Sequence, residues 1–166
     1  IEDIKFNVSY FDSVCSMNVL NTTPYHYLKR IDGSLTNKFL PDYFTLNAER
    51  VFLVLEQYKN WGMCTEEVRR ILANIYVRYL FSALQRNCDK RSDMNHAQRK
   101  EWLKQQYKTP LCKELLSAVQ ASGTLFKCMA KAFCAGNIPL CLMIARSIFA
   151  VKSAFPTVFS TLKQQH

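Results

Sequence analysis

Residues 65–88 read TEEVRRILANIYVRYLFSALQRNC, and this stretch decides the fold class. Apolar side chains recur at Val68, Ile71, Leu72, Ile75, Tyr79 and Ala83, a spacing that gathers them on one side of an α-helix. Thr65 supplies a hydroxyl for an orphan backbone N–H at the helix start, and Glu66 and Glu67 put negative charge at the positive end of its dipole. No glycine or proline interrupts the run, so a helix is expected to about Cys88.

The same punctuation extends outward. Upstream, Pro41-Asp42 opens a second helix with apolar positions Phe44, Ala48, Val51, Phe52, Leu55 and Tyr58, closing near Trp61-Gly62. Downstream, the polar stretch Asp89 to Asn95 breaks the pattern. Shorter helices are expected at 96–107, 110–121, 124–134, 138–154 and 156–164, punctuated by Pro110, Gly123, Gly136, Pro139 and Pro156. At the N-terminal end, Ile4, Val8, Phe11 and Cys15 form the stripe of a helix of about three turns, with Asp3 at or next to its N-cap. From Met17 to Leu28 the residues turn β-type with partial alternation, and Pro24 confines them to an edge strand or to the irregular end of a strand. Lys29 to Asn37 reads as a polar loop. The expected fold is mainly α: a short helix-plus-edge-strand unit over 1–38, then a helical bundle over 39–166.

Composition bounds the function. With 49% hydrophobic and 21% charged residues, the 166-residue chain is globular rather than disordered and large enough for a real core. Its four glycines and five prolines are too few for a many-turned β architecture. Residues 1–94 carry 12 Lys/Arg against 11 Asp/Glu, whereas residues 95–166 carry 10 against 2, so the net +9 lies almost wholly in the last part. Such a region attracts phosphate, whether on nucleic acid, anionic lipid or nucleotide. The seven cysteines form no CxxC pair and no Cys/His cluster, which points to reduced core residues and to no zinc site. The uncharged run Ala132 to Ala145 has 14 residues, and the more polar one from Ser13 to Leu28 has 16. A membrane span needs about 20. The sequence opens Ile-Glu-Asp without initiator Met or signal core, and is expected to be a piece of a longer protein.

One ordered series carries more than its parts: Glu2-Asp3, an amphipathic helix, a strand ending Pro-Tyr-His-Tyr, a basic pair, then Asp-Gly-Ser-Leu-Thr. The runs EDIKFNVSYFDSV and NTTPYHYLKRIDGSLTNKF, over about residues 2–37, resemble the end of the catalytic domain of bacterial family 2 glycosyltransferases of GT-A type. The resemblance implies that the chain is the C-terminal part of an inverting, nucleotide-sugar-dependent hexosyl transferase serving cell-surface polysaccharide or glycoconjugate synthesis. Residues 1–38 then end the catalytic domain, and residues 39–166 are a helical extension. It implies Asp3 as general base, Glu2 orienting the acceptor or Asp3, and His26, Lys29, Arg30 and Ser34 at the donor diphosphate. It also implies a divalent metal (Mg or Mn) bound upstream in the full-length enzyme, with none in this fragment, which alone is inactive. The implied partners are a nucleotide-sugar donor and a glycan or lipid-linked acceptor; the implied location is cytoplasmic, at the inner face of the membrane.

Two further readings stay open. The basic helices, with apolar positions Ile138, Leu142, Ala145 and Phe149, either rest on an anionic leaflet or pack that row into a bundle core with the lysines outside. The chain could also be a basic helical module that binds nucleic acid or protein, or forms a homo-oligomer. Against nucleic acid stand the absence of a helix-turn-helix signature and of a dense Lys/Arg stripe on one helix.

Overall fold

The computed structural model describes residues 2–22 and 39–155, and these form seven α-helices and no strand. In chain order they are α1 (Glu2–Phe11), α2 (Tyr43–Asn60), α3 (Glu66–Arg86), α4 (His96–Lys108), α5 (Pro110–Leu116), α6 (Thr124–Cys134) and α7 (Ile138–Ala154). The mainly α expectation holds. Met17 to Thr22 are irregular rather than the start of a strand, and the rest of that expected strand lies outside the described residues, as does the helix expected at 156–164.

Local chemistry sets most of the helix ends. Thr65 Oγ1 accepts the Val68 N–H at 3.3 Å at the start of α3. Asn95 and Gln98 form a reciprocal capping box at α4, with the Gln98 N–H on Asn95 Oδ1 at 3.0 Å and the Asn95 N–H on Gln98 Oε1 at 2.7 Å. The Thr109 and Asn137 side chains cap α5 and α7 by accepting the Cys112 and Leu140 N–H groups, each with a proline in the first turn. Helices α2 and α6 stop in Schellman motifs. Gly62 (φ 66°) and Gly136 (φ 65°) take the left-handed conformation, so that the next residue's N–H reaches back to Tyr58 and Ala132.

Helix α5 ends at Leu116, five residues short of the expected 121. The reason is a tertiary contact. The Asn74 amide on α3 donates to the Gln120 carbonyl at 2.9 Å and accepts the Gln120 N–H at 3.1 Å. Both backbone groups of Gln120 are therefore satisfied outside a helix, and the chain runs irregularly to Gly123.

Helix α3 lies at the centre, with α2, α5, α6 and α7 packed around it and α4 closing against α5 and α7. Its buried arc is wider than the sequence stripe and rotated from it. Ala73, Tyr76, Val77, Leu80, Phe81 and Leu84 are buried, Ile75 and Tyr79 are half-buried, and Ile71 is exposed. A helix with neighbours on four sides has no single apolar face, so periodicity alone misjudges which positions go in. Leu55 and Val51 of α2, Leu103 of α4, Leu115 of α5, Phe133 of α6 and Cys141 of α7 complete the core. Each fully buried aliphatic or aromatic side chain contributes about 1.5–3 kcal/mol.

All seven cysteines are free; two fit the expectation of core residues, and three correct it. Cys112 and Cys141 are buried, Cys64 and Cys88 half-buried, but Cys15, Cys128 and Cys134 are exposed. On α6 the exposed pair falls outside the buried residues Met129, Ala130, Ala132 and Phe133, and Cys15 follows α1, which buries nothing.

Candidate acidic site on helix α1

Helix α1 starts with Glu2 and Asp3 in its first turn, where carboxylates complement the partial positive charge of the unpaired N–H groups. Both side chains are exposed, and neither has an ion-pair or hydrogen-bond partner among the described residues. One turn and two turns further on, Phe6 and Tyr10 continue the row begun by Glu2. Their rings stack with centroids 5.7 Å apart and planes 10° apart, while remaining 66% and 57% exposed. The outward face of α1 thus carries two unpaired carboxylates above an aromatic step.

The opposite side holds α1 to the bundle. Ile4 and Val8 are half-buried against α2. Lys5 Nζ pairs with Glu49 at 2.8 Å. Just past the helix end, Asp12 Oδ1 accepts from Trp61 Nε1 at 3.0 Å and from the Gln57 side-chain amide. Gln57 is buried, so Asp12 satisfies a donor that the core would otherwise strand. These contacts fix the register of α1 on α2 and so aim the acidic end. The expected stripe is only partly used: Phe11 and Cys15 are exposed rather than packed.

Of the residues expected to accompany Asp3, His26, Lys29, Arg30 and Ser34 lie outside the described residues, so their distance from the carboxylates is not part of this geometry. Among the described residues, no three His, Cys, Asp or Glu side chains converge to hold a metal. No described helix is long and apolar enough to cross a membrane. On α7, the row Ile138, Leu142, Ala145 and Phe149 faces inward: Leu142 and Ala145 are buried, the other two half-buried. That row is bundle core rather than a surface for a leaflet.

A feature the sequence reading missed lies at the other end of the molecule. A cavity of about 330 Å³ between α3, α4 and α7 is lined by His96, Arg99, Lys100 and Arg146. The thiol of Cys88 is in its wall, 4.0 Å from Arg99 Nη1. Burial pushes the Cys88 thiol above its ordinary range, while Arg99 and Arg146 pull it back. The one available signal was the first part of α4, which has three cationic or titratable basic residues and no acid before Glu101.

No family model matches the chain, and neither a curated protein nor a solved structure matches it.

Proposed function

We propose that the chain is the C-terminal part of an inverting glycosyltransferase that uses a nucleotide-sugar donor, with Asp3 as general base and Glu2 beside it. The observation that carries this reading is the pair of unpaired carboxylates displayed on the outward side of α1. Buried or ion-paired acids would be structural; exposed ones aimed by a polar tether to α2 are available to an acceptor.

In the proposed reaction the acceptor hydroxyl gives its proton to Asp3 as its oxygen attacks the anomeric carbon. The new glycosidic bond forms on the face opposite the departing nucleoside diphosphate, which leaves with the electron pair of the broken C–O bond. Glu2, adjacent on the first turn, orients the acceptor. His26, Lys29, Arg30 and Ser34 are proposed to meet the diphosphate with positive charge and hydrogen-bond donors. A divalent cation held by residues outside this chain would add charge neutralisation at the same leaving group. The Phe6–Tyr10 step suits either the catalytic domain or the face of a sugar ring. Glycan or lipid-linked acceptors, and work at the cytoplasmic face of a membrane, belong to the same proposal. In it an anionic leaflet would meet the exposed cations, since the apolar row of α7 is buried in the bundle.

The test is Asp3→Asn in the full-length enzyme, assayed for sugar transfer with donor saturating. Loss of a positioned general base is expected to lower kcat by about 10²–10⁴-fold with donor affinity little changed. Near-normal transfer would sink the assignment. The same reading expects the residues preceding Ile1 to alternate strand and helix and to contain an Asp-x-Asp-like pair.

A further inference from the structure

The cavity between α3, α4 and α7 departs from ordinary surface charge in three respects. Four of its lining side chains are His96, Arg99, Lys100 and Arg146, and no Asp or Glu lines it. None of these four forms an ion pair among the described residues, although Lys59, Arg70, Arg91 and Lys104 do so elsewhere in the molecule. The Nε–H of Arg99 is buried and has no hydrogen-bond acceptor, a state shared among the described residues with Arg50 outside the cavity. Buried donors are rarely left unsatisfied, and a charged one least of all.

The placement on α4 adds to this. His96, Arg99 and Lys100 occupy the first turn and a little beyond, where the helix dipole disfavours cations and favours anions. The cap of α4 is well made by Asn95 and Gln98, so the basic residues are not compensating for a poor helix start. Arg146 reaches the same cavity from α7, and Leu142 gives it an apolar wall that lowers the local dielectric and strengthens charge pairing.

We propose that this cavity binds a phosphate-bearing anion, held by Arg99 and Arg146 from two sides with Lys100 and His96 at its mouth. Guanidinium groups match the oxygen geometry of phosphate with paired N–H donors, and the first turn of α4 supports the same charge. A small shift of the Arg99 side chain on binding would let its buried Nε–H reach the anion. The site belongs to the bundle and does not depend on the reading of Glu2 and Asp3.

The test uses the 166-residue chain and inorganic pyrophosphate, titrated at low ionic strength by calorimetry. The same proteins are then tested for binding to phosphatidylcholine vesicles with and without phosphatidylglycerol. One saturable site is expected, with Arg99→Gln and Arg146→Gln each weakening it by roughly ten- to a hundredfold. A control that removes more charge outside the cavity, Lys127→Gln with Lys131→Gln on α6, is expected to change it by less than about threefold. Arg146 is exposed, so its substitution keeps the test valid even if Arg99→Gln misfolds. Pocket-dependent binding of free pyrophosphate assigns a soluble phosphorylated ligand; pocket-dependent binding to anionic but not neutral vesicles assigns a lipid headgroup. Binding to neither overturns the proposal, as does an equal loss in the Lys127/Lys131 control, which would mean general charge attraction.

Discussion

Helices α1 and α3 share a sequence signature, two acids in the first turn followed by an apolar stripe, yet α3 buries nine residues and α1 none. The difference lies in what surrounds them. Helix α3 is enclosed by four other helices, so hydrophobic burial supplies its stability. Helix α1 packs chiefly on α2, where Ile4 and Val8 are only half-buried and the Lys5–Glu49 pair and the hydrogen bonds to Asp12 hold it. Polar contacts of that kind fix orientation while adding little free energy. An isolated helix of ten residues is marginal in water, so α1 depends on its docking. Its uncovered apolar surface continues beyond the helix in Met17, Val19 and Leu20, with Val19 89% exposed. One region is therefore built to fold, and the other to present side chains.

The strongest test of that contrast is truncation in each region. Phe81 is fully buried on α3, and Phe81→Ala is expected to cost about 3–5 kcal/mol in chemical denaturation. Phe6→Ala, on the exposed face of α1, is expected to stay within about 0.5 kcal/mol. A loss at Phe6 approaching that at Phe81 would break the comparison, because it would mean that α1 shares the bundle's core.

Much of this division could be read from local chemistry. The α6 and α7 boundaries fall where expected, and α3 and α4 end within about two residues of it, because Thr65, Asn95, Gly123, Gly136, Asn137 and Pro139 act within one turn of the ends they set. What escaped the sequence depends on distant partners. The early end of α5 is dictated by Asn74, 46 residues before Gln120. The buried arc of α3 is dictated by four neighbouring helices. The cationic cavity joins Cys88, Arg99 and Arg146 from three elements, and nothing in their spacing brings them together. Glu2 and Asp3 could be singled out only through the ordered series behind them, since an acidic pair at a helix start is otherwise ordinary.

Alkaline pH offers a second contrast, confined to the bundle. Burial pushes the thiols of Cys112 and Cys141 up to about 11 from an ordinary 9.0. Burial also raises the Tyr76 hydroxyl above its ordinary range. In each case the folded state holds the proton more tightly than the unfolded chain. The stability is therefore complete below pH 9 and is lost as pH rises from about 9 to 11, where the unfolded thiols ionise and the folded ones do not. The expected loss is on the order of 2 kcal/mol per thiol. Cys141→Ala should flatten the alkaline limb of a plot of denaturation free energy against pH. An unchanged limb would show that the thiols titrate as exposed groups do.

The most local effect is the most informative about α1. Asp12→Ala removes the acceptor for the buried Gln57 amide and for the Trp61 indole N–H. Leaving a buried amide donor unpaired costs about 1–3 kcal/mol, partly relieved if the freed side chain finds water. Because the interaction joins α1 to α2 and not α2 to α3, the loss should appear first as undocking. Amides of α1 are expected to exchange with solvent near the unprotected rate, while those of α3 keep their protection and follow global unfolding. Lys5→Ala, which breaks an exposed pair, should move both by less than about 0.5 kcal/mol. If Asp12→Ala instead lowers protection equally in α1 and α3, docking of α1 and folding of the bundle are one cooperative event. The aim of the Glu2–Asp3 end would then be a property of the whole core rather than of one polar tether.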